Sequence, residues 1–167
     1  MYQQILVAVD GSETSTRAFE AALQLARDAG AKLQPLFVVD VPLLVYDVPG
    51  CDLPHARNAL LEQGANVIEN AVASMKRAGV QGTPRIIETA LSGDDVAHCI
   101  LRAANDFKAD LVVTGTHGRR GFQRLVLGSV AECFLRIAQC AVLMIPTHSG
   151  KPVASGAQAA EPIKEPS

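Results

Sequence analysis

Five short strand-like runs, most of them apolar and separated by stretches of helical periodicity, constrain this chain most tightly. They are Ile5-Leu6-Val7-Ala8-Val9, Leu33 to Val39, Thr83 to Thr89, Leu111-Val112-Val113-Thr114 and Ala141-Val142-Leu143-Met144-Ile145. The first run carries no polar residue and reads as a buried strand. Strands that alternate with helices favour a mainly parallel α/β sheet with right-handed crossovers. Pro84 lacks an N–H for a sheet ladder, so the third run suits an edge better than the centre.

The intervening stretches have their own punctuation. Ser12 follows Asp10-Gly11 and can cap a helix. From there Ala18, Ala21, Ala22, Leu25, Ala26 and Ala29 recur at helical spacing up to Gly30. Small residues on that face allow close packing on a sheet. Pro42, Pro49 and Pro54 make residues Asp40 to Pro54 a long loop. A second helix is expected from about His55 to Ala78 and a third from about Gly93 to Phe107. Asp94 and Asp95 would fall in the third helix's first turn, where negative charge suits the dipole. A fourth helix is expected from about Leu125 to Ile137.

Composition excludes several functions. The chain has 167 residues, 49 % of them apolar, which suits one domain with a substantial core. A formal net charge of -2 offers no footprint for DNA or RNA. Trp is absent and aromatics are 4 %, so stacking platforms for single strands are not expected. No run approaches the ~20 apolar residues of a membrane span, and the first lacks the basic start of a signal peptide. A soluble cytoplasmic protein, with no nucleic acid or membrane partner, is therefore expected. Cys51, Cys99, Cys133 and Cys140 do not have metal-knuckle spacing. Cys99 and Cys133 read as small buried hydrophobes, and Cys51 as the exposed one. Residues 148–167 lack periodicity and are rich in Pro, Gly, Ala and Ser, so a disordered tail is expected after a domain at 1–147.

Ligands of open α/β sheets sit beyond the carboxyl ends of the strands, where the strand order switches. Two strand ends are equipped for this. The first carries Asp10-Gly11-Ser12. The second carries Gly115 and Gly118, then nine residues, then Gly128 and Ser129. Glycines permit close backbone approach, and amides at a loop and helix start can face phosphate oxygens. Ser129 adds a hydroxyl, and Arg119, Arg120 and Arg124 add positive charge. The competing reading is a turn-rich loop with solvated arginines. Asp10 can accept from a ribose hydroxyl or help hold Mg²⁺, or it can simply shape the turn. Val38 either borders a base or is core, and Asp40 reads as structural. His117 lies between the glycines without a partnered nucleophile. His55, His98 and His148 show no metal-ligand spacing. There is no P-loop lysine, no G-x-G-x-x-G after the first strand and no G-x-S-x-G elbow.

These motifs together resemble the universal stress protein family, in its nucleotide-binding branch. The likeness spans about residues 1 to 147. It includes Ile5 through Ser12, Phe37-Val38-Val39-Asp40, and Ala109 through Gly118. Gly115, Gly118, Gly128 and Ser129 meet the family's G-x2-G-x9-G-[ST] pattern without a gap. Cys140 through Pro146 is similar to the family's last strand. The resemblance implies a single-domain open sheet of five parallel strands, order 3-2-1-4-5, with helices on both faces. It implies that Asp10 lies near ribose, phosphate or metal and that Val38 contacts adenine. Thr114 would line the adenine side. Gly115, Gly118, Gly128 and Ser129 would hold ribose and phosphates, and Val130 would help through its amide. Arg119 fits phosphate binding.

The resemblance further implies a homodimer joined through the last strand. The function expected from it is that of an ATP-binding stress-response or regulatory protein, with ADP or AMP as related ligands and Mg²⁺ as a companion. Nucleotide occupancy would tune the dimer or an unknown regulatory partner. Two alternatives stand beside it: a slow ATPase, and a nucleotide-independent dimeric interaction protein. The loop supplies phosphate donors and no evident nucleophile, so an efficient enzyme is not expected.

Overall fold

The computed structural model describes residues 1–40, 53–89, 95–117 and 128–146. In chain order they form β1 (Gln4–Val9), α1 (Glu13–Ala29), β2 (Lys32–Val39), α2 (Leu53–Ala78), β3 (Arg85–Glu88), α3 (Val96–Phe107), β4 (Leu111–Gly115), α4 (Ser129–Ile137) and β5 (Ala141–Ile145). The strands make one sheet of order β3-β2-β1-β4-β5. Every neighbouring pair is parallel. The expected sheet and its order are therefore present.

Side chains alternate across a strand, so each apolar run feeds two cores. Ile5, Val7, Val9, Leu33, Phe37, Leu111 and Val113 pack with α1 and α2 through Ala18, Ala22, Ala26, Ile68, Ala71 and Met75. Leu6, Leu36, Val38 and Val112 pack on the other face with α3 and α4 through Ala97, Ile100, Ala103, Ala104 and Phe134. Leu6, Val7, Val112 and Val113, all on the inner strands β1 and β4, are fully buried. Alanines dominate the helix sides of both cores, and that small size lets the helices lie close to the sheet.

Two prolines fall where sequence rules discourage them. Pro35 is interior to β2, yet β2 pairs with β3 only from Leu36↔Arg85 onward. Leu33 N–H reaches Gln81 on the β3 side, and residues of one parity face one neighbour in a parallel ladder. The missing N–H of Pro35 thus faces a gap before β3 begins. Pro54 is not in a loop but is the second residue of α2, where a helix has no use for its N–H. The expected edge position of the Pro84 strand holds, although β3 proper starts one residue later, at Arg85.

Helix starts are the main correction. Asp95 is not in the first turn of α3; it is the N-cap, with extended φ -88° and ψ 168°. Its Oδ1 accepts from His98 N–H at 2.8 Å. Gly93 and Asp94 lie outside the described residues. Gly128 likewise is the extended N-cap of α4 (φ -61°, ψ 145°), so the described helix begins at Ser129 and not at Leu125, which lies outside the described residues.

The Asp95 cap makes a pH-dependent prediction. The His98 backbone N–H, ahead of any other favourable contact, holds the Asp95 carboxyl below its ordinary value of 3.8. A depressed folded-state pKa stabilises above the unfolded value, and the benefit is lost as pH falls through the folded one. Asp95→Ala should cost about 1 kcal/mol at neutral pH, as N-cap losses do. Denaturant titrations should show the gap to wild type narrowing below pH ~4. A gap unchanged down to strong acid would contradict the cap's role.

Candidate functional site

The turn after β1 is built by short hydrogen bonds. Asp10 Oδ1 accepts from Ser12 N–H at 2.9 Å. Ser12 Oγ caps α1 by accepting from Ser15 N–H at 3.2 Å. Ser15 Oγ in turn accepts from Asp10 N–H at 3.3 Å and donates to Ser12 O at 3.0 Å. Gly11 has φ +82°, a left-handed conformation that a side chain would strain. The result fixes the Asp10 carboxylate at the carboxyl end of the central strand.

Next to it, β4 ends at Gly115. A Cβ there would lie 2.7 Å from Thr14 Cγ2 and 3.1 Å from His117 O. That close approach seats β4 against the start of α1. Thr116 then links the end of β4 to the start of α4 and to β5. Its N–H donates to Ile145 O at 2.9 Å, and its carbonyl accepts from Gly128 N–H at 2.8 Å. One residue therefore joins both ends of the glycine loop and ties them to β5. Thr116 Oγ1 also lies 3.0 Å from His117 Nδ1. No side-chain hydrogen bond caps α4 at Gly128, so its first amides are presented without a capping side chain. Ser129 and Val130 follow at that helix start, and both are exposed.

The alternation of β1 and its neighbours brings the rest together. Val38 and Ala8 belong to the α3–α4 face. Asp10 continues that alternation just past the end of β1. Ala8 pairs with Leu36 on one side, and on the other it follows Val7, whose β4 partner Val113 directly precedes Thr114. Ala8 is only partly buried although β1 is the central strand. Its neighbours Leu6, Val7 and Val9 are buried. Ala8 is thus the point at which solvent reaches the central strand on the α3–α4 side. Val38 and Thr114, each 9 % exposed, flank it.

Of the expected site residues, the structure places Asp10, Val38, Thr114, Gly115, Gly128, Ser129 and Val130 around the carboxyl ends of β1, β2 and β4 and the start of α4. Gly118, Arg119, Arg120 and Arg124 lie outside the described residues. Ala8 and Thr116 were not singled out by sequence reasoning. The signal for Ala8 was present as a small residue two positions before Asp10, but only the register shows what flanks it. Among the described residues, no group of three or more His, Cys, Asp or Glu is arranged to hold a metal ion. No helix among them is long and apolar enough to cross a membrane. A separate groove of about 320 Å³ runs between α1 and α2 on the opposite face of the sheet, bordered by Val9, Phe19 and Ala71.

This is an open α/β protein whose strand order switches between β1 and β4, the kind of place where ligands of such sheets bind. Residues 1–146 match the Usp model, universal stress protein family, and the chain belongs to that family. It is 32 % identical over 153 residues to universal stress protein YxiE of Bacillus subtilis, covering 87 % of this chain and 99 % of that one. A crystal structure of a universal stress protein family member from Burkholderia pseudomallei is 46 % identical, with a TM-score of 0.73, covering 87 % and 96 % of the two chains. A universal stress protein solved in complex with cAMP is 26 % identical, with a TM-score of 0.63, covering 86 % and 97 %.

Proposed function

We propose that this protein binds ATP in the crevice above Ala8 and acts as a regulatory protein of the stress response, with occupancy tuning its dimer or a partner. The observation that carries this reading is the incomplete burial of Ala8 on the central strand, bordered by Val38, Thr114 and Asp10. The glycine-serine pattern lies on the β4 side of the same crevice. A relative of 26 % identity in complex with cAMP supports an adenine nucleotide as the ligand class.

Each residue then has a role. Val38 borders adenine and Thr114 lines its side. Asp10 accepts from ribose or joins the phosphates around Mg²⁺. One carboxylate suffices for that ion, because Mg²⁺ at nucleotide sites keeps waters and takes phosphate oxygens. Gly115, Gly118 and Gly128 let the backbone approach the phosphates. The uncapped amides at Ser129 and Val130, with the Ser129 hydroxyl and Arg119, meet negative charge. ADP and AMP fit the same description with fewer phosphate contacts. Mass spectrometry of ligand released from purified protein tests this reading. An adenine nucleotide near one per chain is expected, and a different class of ligand in its place would overturn it.

The homodimer through β5 is part of the same proposal, and the two sheet edges support it. β3 is four residues long and ionic at both ends. Arg85 pairs with Asp106 at 2.9 Å and Glu88 with Arg57 at 2.7 Å. Charge and shortness are how exposed edges avoid pairing. β5 is apolar along its whole length and is buried nowhere. Ile145 O faces β4, so the polar backbone groups of Val142 and Met144 face outward. Met144→Pro removes an outward N–H and leaves the β4 ladder intact. Sedimentation should show a dimeric wild type and a monomeric Met144→Pro with its fold retained. A dimeric variant would place the interface elsewhere.

A further inference from the structure

The groove between α1 and α2 has no part in the nucleotide reading, which concerns the other face of the sheet. Side chains four apart share a helix face, so each helix lends the groove an inner row and an outer row. The inner rows are apolar: Phe19 and Leu23 on α1, Val67 and Ala71 on α2. Val9 of β1 is the floor, buried like Phe19 and Ala71. One end closes where α1 begins, since a Cβ on Gly11 would lie 3.2 Å from Val67 Cγ2. The space, about 320 Å³, is that of a small-molecule site.

The outer row of α1 is chemically one-sided. Thr16 and Glu20 stand one turn apart there, both exposed. Thr16 Oγ1 donates its single hydrogen to Ser12 O at 3.0 Å, so it can only accept from a ligand. Ser15 Oγ is committed to Ser12 O in the same way, also at 3.0 Å. The Glu20 carboxylate is acceptor-only, and among the described residues no Lys, Arg or His pairs with it. The α1 wall therefore offers oxygen lone pairs and one uncompensated negative charge above an apolar floor. Across from it, Asn70 is a neutral amide, and Ser74 Oγ accepts from Arg77 Nη2 at 3.0 Å.

We propose that this groove is a second ligand site, for a small amphipathic cation that carries a primary ammonium on a short apolar body. The body covers Val9, Phe19 and Ala71, and removing that surface from water drives binding. The ammonium, with three donors and no acceptor, matches Thr16 Oγ1 and the Glu20 carboxylate. A carboxylate in its place would face like charge and lone pairs, with no side-chain donor from α1. Glu20 is exposed, so its charge sets which ligand is chosen more than how tightly it is held. The occupant rests against the back of the turn that carries Asp10, because Gly11 and Ser15 belong to both.

The test is a titration of the folded full-length protein at low salt, followed by backbone amide chemical shifts. The probes are hexylammonium, hexanol and hexanoate, which share one apolar body. Hexylammonium should give saturable shifts centred on Thr16, Glu20 and Asn70. It should bind about threefold or more tightly than hexanol, the increment of an exposed ion pair, and hexanoate should bind more weakly than either. Glu20→Gln should bring hexylammonium down to the level of hexanol. Ser74→Phe, which fills the groove from its partly exposed rim, should abolish saturable shifts from all three. Hexanoate binding as tightly as hexylammonium would overturn the proposal, as would shifts that never saturate or that centre elsewhere. Concentration-dependent shifts at these residues without a probe would assign the groove to a second copy of the chain. Contacts to it from residues 147–167 would assign it to the chain's own C-terminal segment. Either result would overturn the cation site.

Discussion

Ala8→Leu should leave a folded protein that has lost at least about 100-fold of its affinity for ATP, roughly 2.7 kcal/mol. Ala8 sits in the central strand but is only partly buried, and the proposed ligand site lies above it. A leucine there projects into that site between Leu36 and Thr114 and occupies the space proposed for the ligand. The fold should tolerate it, since the added atoms enter open space and not a packed core. Circular dichroism and thermal unfolding should match wild type within a few degrees while titration heats vanish. Undiminished binding would mean that the ligand sits elsewhere, for instance in the groove between α1 and α2.

Gly82→Ala should be the most destabilising single methyl addition in the described chain. A Cβ at Gly82 would fall 1.7 Å from Leu33 O and 2.7 Å from Leu33 C, both backbone atoms of β2. No rotamer relieves a clash with backbone. Leu33 cannot withdraw either, because its N–H is bonded to Gln81 O at 2.9 Å and its side chain is fully buried in the core. The chain leading into β3 must move, and the short β3 ladder would be displaced with it. A loss of about 3 kcal/mol or more is expected, at the upper end for overpacking. Denaturant unfolding measures it directly. A loss below about 1 kcal/mol would mean that the connection into β3 adjusts freely.

Much of this architecture was legible in the chain because strands buried on both faces leave uninterrupted apolar runs. Ile5 to Val9 and Leu111 to Thr114 needed no partner information to be read as strands. The Pro84 segment announced itself as an edge through one missing N–H. Helix beginnings were harder. Periodicity puts Asp95 in the first turn of the third helix and Gly128 inside the fourth, whereas the hydrogen bond to His98 and the extended backbone at Gly128 make them caps. Pro35 and Pro54 show the opposite difficulty. Each breaks a rule that applies only where a backbone N–H is required, and the pairing pattern shows that neither N–H is.

The site divides in the same way. Asp10, Gly115, Gly128 and Ser129 are visible in sequence because glycine and carboxylate at strand ends are chemically conspicuous. Ala8 is not, since an alanine in an apolar strand means nothing until the register shows which face it floors. Thr116 acts through its backbone, bonding Ile145 and Gly128, and backbone roles leave no residue signature. Through those two hydrogen bonds the same residue links the start of α4 to β5.

Calorimetric titration of the purified, nucleotide-stripped protein with ATP and Mg²⁺ tests the central claim most directly. Saturable binding of one ATP per chain is expected, with a dissociation constant below about 1 mM, or some 4 kcal/mol of binding free energy. The absence of any binding heat at millimolar ATP, from protein shown to be folded, would contradict it.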